Sequence, residues 1–451
     1  MYSILFRNAI FPVLEKWMGT TIKADLAFLE KSQWWKPEQL EEFQNKKLRA
    51  LINHAYKNVP YYHRLFRKLG LKPEDIKTKE DLKKLPILTK DDIRRNLSEL
   101  LAKNIPKSRY IVAHSSGSTG EPLKYYVDKR AYSIGWAQTF RCWSWAGYSL
   151  GDPYVKISLN PRTKISKKIQ DLLFRCTYIY IRSVDKNSID YYYRLMQNAT
   201  IIRGYASAMY TIANLIKEYV DNPEFPRLRA VMTTGDTLFP HYRRLIESVF
   251  QCEVFDGYGG ESTPIAFECN SHSGYHICDE SVIVEVLREG EEVSDGELGE
   301  IVFTSLYNYA MPFIRYNIQD VGRPSVDSCS CGRGLSMLKS VEGRNTDIVV
   351  TPTGKFLIVH FFTWLFEYIE GVDQFQVIQK KIDELNIKIV RNNKFTEKDL
   401  QYIISQIRKE VGDCMNIDVE FVDSIPPTRS GKRRFVISKV PLSYAWRKVD
   451  E

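Results

Sequence analysis

No run in this chain reaches the roughly 18 consecutive apolar residues that a membrane-crossing helix requires; the most apolar segment, Phe356 to Phe366, is too short. The N-terminus, Met1-Tyr2-Ser3-Ile4-Leu5-Phe6-Arg7, lacks a charged region followed by a cleavage site, so no signal peptide is expected. There is no internal repeat and no low-complexity tract. Cysteine is sparse, with eight scattered irregularly over 451 residues. Without export signals, that usage fits a cytoplasmic setting, where a close cysteine cluster points to metal before disulfide. Zinc-finger, basic-zipper and RNA-binding signatures are missing as well, so nucleic acid is not expected as a partner. The net charge of +9 is spread among acids rather than gathered in blocks. Such a surplus suits an anionic ligand or an anionic membrane surface. No Ser-His-Asp spacing stands out, and the standard phosphate loop, Gly-x4-Gly-Lys-Ser/Thr opening a helix, does not occur.

What is present describes a globular protein of two or more domains, with 44% hydrophobic and 13% aromatic residues. Residues 1 to about 100 read as mainly helical. Within them, Ile4 to Met18 forms an amphipathic segment, suited to packing on its own domain or to peripheral membrane contact. Leu40–Tyr56 and Tyr61–Leu69 carry helical periodicity broken at Val59-Pro60, and Thr89 is placed to cap a helix after Leu85-Pro86-Ile87-Leu88. From 110 to about 320, short β-rich runs alternate with helical ones, as in Arg229–Thr234, His241–Val249 and Glu253–Phe255, which argues α/β layers. After Gly343 the pattern becomes a compact α+β module, read as β-β-α-β over Phe375–Ile378, Leu385–Val390, Glu397–Val411 and Ile417–Val422. The expected fold is therefore a large N-terminal α/β domain, 1–344, and a small mobile C-terminal α+β domain, 345–451.

Five motifs carry chemistry. Ser115-Ser116-Gly117-Ser118-Thr119-Gly120-Glu121-Pro122-Leu123-Lys124 lies between two apolar runs and reads as strand, hairpin loop, strand. Its glycines, hydroxyls and lysine suit an anion. Phe255-Asp256-Gly257-Tyr258-Gly259-Gly260-Glu261-Ser262-Thr263 follows a short strand, so the expected loop sits at a strand's C-terminal end, where open α/β sheets place ligands. There Tyr258 is free to stack on a planar ligand and Glu261 offers a hard oxygen donor. Asp320, in Tyr316-Asn317-Ile318-Gln319-Asp320-Val321-Gly322, reads as a strand-end acceptor for two hydroxyls. Gly343-Arg344-Asn345-Thr346-Asp347 marks the composition break, and Pro426-Pro427-Thr428-Arg429-Ser430-Gly431-Lys432 is a Gly-Lys loop in the small module. Taken singly, the acids read as turn residues and the loop lysine as solvated.

In this order the five resemble the adenylate-forming superfamily. Together with His54–Tyr62, Leu85–Lys90 and Ile265–Cys269 they look closest to its phenylacetate–CoA ligase and CapK-like branch, over nearly the whole chain from about residue 40. The resemblance implies that Ser116, Gly117, Ser118, Thr119, Gly120 and Lys124 embrace the β- and γ-phosphates of ATP. It further implies that Tyr258 stacks on adenine, Glu261 binds Mg2+, and Asp320 holds the ribose with Arg344 nearby. Gly235, Asp236, Asp256 and Gly259 join the nucleotide-binding set. Lys432 would bridge the substrate carboxylate and the α-phosphate, aimed at developing charge. Two departures stand out: Glu261 is three residues after Tyr258 where the family commonly has four, and Thr346 occupies the usual hinge position, leaving the role to Asp347.

A separate structural Zn2+ site is expected from Cys329-Ser330-Cys331 with Cys269 and one histidine. His276 is favoured because it leads into a strand, and His272 is the alternative with tidier spacing. The implied activity is ATP-dependent activation of a small carboxylic acid, with pyrophosphate released and the acyl group passed to CoA or another thiol, amine or hydroxyl acceptor. A role in polysaccharide biosynthesis follows from the CapK likeness. The aromatic stretch Trp136–Tyr148 and Arg203–Ser207 would line the acid pocket. Two other readings stay open: an adenylyltransferase that leaves AMP on its acceptor, and a non-catalytic ATP-binding accessory protein.

Overall fold

The computed structural model describes residues 2–115, 123–158, 162–180, 188–367, 369–426, 434–441 and 444. Ser116, Gly117, Ser118, Thr119, Gly120 and Lys432 lie outside the described residues.

The lead-in is helical as expected. Val59, held extended at φ −110° and ψ 111° before Pro60, separates the helices Pro37–Asn58 and Pro60–Leu69. Thr89 closes a reciprocal box: its hydroxyl accepts the Asp92 N–H at 3.1 Å, while the Asp92 carboxylate accepts the Thr89 N–H at 3.0 Å. The first helical run, Tyr2–Leu5 then Phe11–Met18, is joined through a five-residue π-helical turn, Phe6–Ile10. Phe6 and Phe11 are fully buried, and each ring lies 5.6 Å from that of Phe174, so this segment docks on its own domain.

Among the described residues the large sheet contains, in hydrogen-bonded order, Glu291–Glu292, Val282–Arg288, Gly299–Ser305, Tyr316–Ser325, Met337–Arg344, Tyr275–Ile277, Thr263–Glu268, Glu253–Gly260, Ala230–Thr234, Ile201–Gly204, Tyr154–Ser158 and Cys176–Tyr180. The last five are mutually parallel and the others pair antiparallel. Glu253–Gly260 is the junction, parallel to Ala230–Thr234 on one side and antiparallel to Thr263–Glu268 on the other. The helix Lys129–Trp145, capped by Asp128 accepting from the Ala131 N–H, lies against the sheet and is tied to the turn before Val282–Arg288 by a fully buried Arg141–Glu280 ion pair at 2.7 Å.

Two expectations need correction here. The glycine-rich cluster after Phe255 is not a loop: the strand runs on through Gly260, and only Glu261 and Ser262 form the turn. Glycine serves close approach, since a Cβ on Gly260 would sit 2.1 Å from Ile318 Cδ1. Asp320 likewise lies inside the ten-residue strand Tyr316–Ser325, not at its end.

The smaller sheet has the order Asn416–Phe421, Glu384–Arg391, Val372–Gln379, Val436–Ser438, with the helix Glu397–Val411 against it. Its last strand and the helix Val359–Glu367 were absent from the β-β-α-β reading. The strand is three residues long, and the helix hides in a run whose Phe362, Leu365 and Phe366 are all buried, so it shows no polar stripe.

Candidate functional site

The site forms where the large sheet changes from parallel to antiparallel. The turn after Glu253–Gly260 places two non-glycine residues in the left-handed region, Glu261 at φ 47° and Ser262 at φ 61°. A two-residue hairpin turn of this hand is usually met by Asn or Gly. Glu and Ser there are strained, and strain of this kind clusters at ligand sites. The Glu261 carboxylate is buried at 8% exposure and accepts the Tyr316 hydroxyl at 3.1 Å. Burial pushes its pKa up, while Lys90 and the Tyr316 hydrogen bond oppose that shift.

Asp320 and Arg344 are register partners on adjacent strands, with Nε and Oδ1 3.9 Å apart. The Tyr258 hydroxyl donates to Asp320 Oδ2 at 3.1 Å, and burial together with that carboxylate keeps the phenol protonated. Lys90 enters from the helical lead-in. The extended segment before it forms a parallel bridge at Leu88 to Tyr316, with the Leu88 N–H donating to Arg315 O at 2.8 Å. Lys90 Nζ then donates to Ile318 O and Gln319 Oε1, both at 3.0 Å, and faces the charges of Arg344, Glu261 and Asp320. Tyr258, Glu261, Asp320 and Arg344 are thus brought together, with Lys90 and Tyr316 as members that the motifs did not reveal. A lysine just after a helix cap reads as solvated, and nothing local marks its burial.

The hairpin expected around the Ser/Thr/Gly loop is present. Tyr110–His114 pairs antiparallel with Lys124–Asp128, Ala113 opposite Tyr125, and Ser115 and Leu123 close its described end through two 2.9 Å hydrogen bonds. Lys124 opens the second strand and is exposed. The Tyr125 hydroxyl lies 2.9 Å from Ser262 Oγ, which moors the stem of the loop to the Glu261 turn.

Other nominated residues are engaged elsewhere. Asp236 accepts the Ala206 N–H at 2.7 Å and so caps the helix Ala206–Tyr219. Gly235, at φ 84°, lies under the Tyr205 ring, where a Cβ would meet Cε1 at 2.8 Å. Asp256 accepts the Thr233 and Tyr275 hydroxyls at 2.6 and 3.0 Å, and burial, then Glu268, raise its pKa to about 6. Of the proposed acid-pocket aromatics, Phe140, Trp143 and Tyr148 are core residues. Asp347 is ion-paired with Arg434, whose Nε donates at 3.1 Å.

The four predicted metal ligands do converge. One ligand atom from each of Cys269, His276, Cys329 and Cys331 lies within 4.8 Å of the others. Cys269 and Cys329 Sγ are 3.6 Å apart, and Cys331 Sγ lies 3.2 Å from His276 Nε2. Two thiolates on one tetrahedral Zn2+ stand about 3.8 Å apart, so the donor set and its spacing fit that ion. His276 is fully buried, and burial pushes its pKa down to about 4, leaving the neutral imidazole a metal needs. His272 turns away, its Nδ1 3.6 Å from Glu268. All eight cysteines are free thiols.

Residues 349–439 match the CapK C-terminal domain family. Over 417 residues the chain is 24% identical to protein CapK of Staphylococcus aureus, covering 89% of this chain and 90% of CapK. Over 427 residues it is 26% identical to the phenylacetate–coenzyme A ligase of Pseudomonas putida, covering 92% and 90%. Among solved structures, 2-hydroxyisobutyryl-CoA ligase in its postadenylation state superposes with a TM-score of 0.74 at 17% identity, covering 93% of this chain and 95% of that one. ATP-bound MatB from Rhodopseudomonas palustris gives 0.55 at 16% identity, covering 72% and 66%.

Proposed function

From a chain homologous to CapK and the phenylacetate–CoA ligases, with the fold of the adenylate-forming CoA ligases, we propose an enzyme that adenylates a carboxylic acid with ATP and passes the acyl group to CoA. The observation that carries this reading is the convergence of Tyr258, Glu261, Asp320 and Arg344 at the parallel–antiparallel junction, beside the moored stem of the Ser/Thr/Gly loop. In this reading Asp320 exchanges the Tyr258 hydroxyl for ribose hydroxyls. Tyr258 then lies along the base. Arg344 and Lys90, which feel each other's charge at this site, would steady the phosphates. Glu261, a buried carboxylate with one hydrogen-bond donor, fits Mg2+, which prefers one or two carboxylates plus phosphate oxygens. When bound, the ion neutralises the departing pyrophosphate. Lys432 belongs in the same step by resemblance, as the cation between carboxylate and α-phosphate.

We place the boundary of the small domain at the Asp347–Arg434 ion pair, with 1–344 and 345–451 on either side, and assign Zn2+ to the Cys269/His276/Cys329/Cys331 cluster as a structural ion. Ile4, Leu5, Val13 and Trp17 stay exposed on the first helical run beside Arg7 and Lys16, a composition that supports peripheral contact with an anionic membrane surface. The CapK likeness supports a role in polysaccharide assembly.

ATP–pyrophosphate exchange across a panel of acids, with Lys432→Ala as control, tests the reading. Acid-dependent exchange that Lys432→Ala abolishes is expected, followed by acyl-CoA on adding CoA. ATP binding without exchange for any acid would favour AMP transfer or an accessory role instead. Metal analysis of the purified protein is expected to find about one zinc per chain, lost in Cys329→Ser.

A further inference from the structure

The parallel half of the sheet holds two cations that the nucleotide site does not use. Lys156, in Tyr154–Ser158, and Arg203, in Ile201–Gly204, are register partners on neighbouring strands, so both side chains leave the same face. That face also carries Tyr178, the partner of Lys156 on its other side, with the ring centroid 6.0 Å from Nζ. The Arg203 guanidinium lies 5.7 Å from the ring of Trp143, on the helix that packs against this face. Flanking residues Tyr154, Val155, Ile201 and Ile202 are buried, yet Lys156 and Arg203 keep partial exposure, so the two cations remain in reach of solvent.

Neither cation makes a hydrogen bond or ion pair with any described residue. The nearby acid, Asp171, has both oxygens bonded to Arg162 at 2.7 Å. Burial, reinforced by Arg203 and then Arg162, pushes Lys156 down to about 8. Two like charges side by side, partly desolvated and without a counterion, cost stability. A ligand anion would offset that cost. Lys156 lies two residues, and Arg203 one residue, short of the C-terminal end of its parallel strand, the end at which open α/β sheets receive ligands. Two residues beyond Arg203, Tyr205 covers Gly235 at the end of the adjacent strand.

We infer that the acid activated by this protein carries a second anionic group, a carboxylate or a phosphate, and that Lys156 and Arg203 receive it. The inference rests on the carboxylate-activating reading and narrows its substrate class. The partly exposed Tyr178 ring beside Lys156 would flank the carbon skeleton, with the reacting carboxylate directed towards the nucleotide.

The test uses matched acids in ATP–pyrophosphate exchange: phenylacetate against 4-carboxyphenylacetate, valerate against glutarate, and glycerate against 3-phosphoglycerate. The member bearing the second anionic group in at least one pair is expected to be preferred by about 30-fold or more in kcat/KM, mainly through KM. The pair with the largest ratio distinguishes carboxylate from phosphate. In K156M/R203M the ratio should fall to within about threefold, and Lys156→Arg should preserve it. A folded double variant that keeps the wild-type ratio, or a wild type that favours the monoanion of every pair, overturns the inference. If no acid supports exchange, calorimetry with the same pairs decides. A preference for the second anionic group lost in the double variant upholds the cation pair while counting against adenylation, and no preference in either assay overturns it.

Discussion

The two halves of the large sheet treat buried charge in opposite ways. On the antiparallel side the buried arginines Arg141 and Arg315 are matched, as is the partly exposed Arg243. Arg315 pairs with Glu285 at 2.8 Å, Arg243 clasps both oxygens of Glu268, and Arg141 meets Glu280 with both side chains wholly inaccessible. On the parallel side Lys156 and Arg203 lie abreast with no such partner among the described residues. Matched pairs fix strand and helix positions and would lose heavily if broken. An unmatched pair is retained at a cost to the free protein, which makes sense when something outside the chain supplies the missing charge.

The comparison breaks most visibly if the matched charges prove dispensable. Arg141→Met leaves Glu280 buried with only the Ser32 hydroxyl, and is expected to lower unfolding free energy by about 3–5 kcal/mol in urea denaturation. A loss below about 1 kcal/mol would remove the contrast. Next, Glu261→Gln keeps the turn but removes the negative charge, and is expected to reduce exchange activity by about 100-fold while the urea midpoint holds. A smaller effect follows for Arg203→Met, which removes a charge without orphaning a partner. Its stability should stay within about 1 kcal/mol of wild type or rise.

The smallest signal is a pH dependence. Lys156 faces Arg203 and Arg162, with Cys176 and Asp171 also near, and titrates at about 8 when folded. Unfolded lysine titrates near roughly 10.4. Between those values the unfolded chain holds more protons, so wild type should gain stability relative to Lys156→Met as pH rises from about 8 towards 10. Denaturation midpoints of both proteins across that range would detect the gain. A flat difference would place Lys156 in ordinary solvent.

Much of this architecture was legible beforehand because local rules and tertiary structure agree. Thr89 caps where its spacing to Asp92 predicts, Val59-Pro60 splits two helices, and the hairpin around the Ser/Thr/Gly loop has its expected arms. The reading failed where a distant segment decides. Gly257, Gly259 and Gly260 look like loop, but they pair with Thr263–Glu268 in the sheet, where Phe267, Thr263 and Ile318 leave no room for a Cβ. Lys90 looks solvated until residues 228 positions later cover it. Lys156 and Arg203 resemble the polar face of alternating strands, and only sheet order puts that face against a helix. For zinc, spacing left His272 and His276 both eligible, and the antiparallel pairing of Tyr275–Ile277 with Met337 and Leu338 brings His276 beside Cys331.

The order in which the small sheet is completed sets a clock on the enzyme's birth. Val436–Ser438, the last strand among the described residues, inserts parallel to Val372–Gln379, and Arg434 just before it engages Asp347. At roughly 5–20 residues per second of synthesis, the interval between making Arg344 and making this strand is on the order of 5–20 s. Throughout that interval a growing chain already owns Tyr258, Glu261, Asp320 and Arg344, yet has no Lys432. Under the proposed function, translation would deliver the nucleotide-holding residues before Lys432, and a ribosome-bound chain is expected to be catalytically silent until Lys432 emerges.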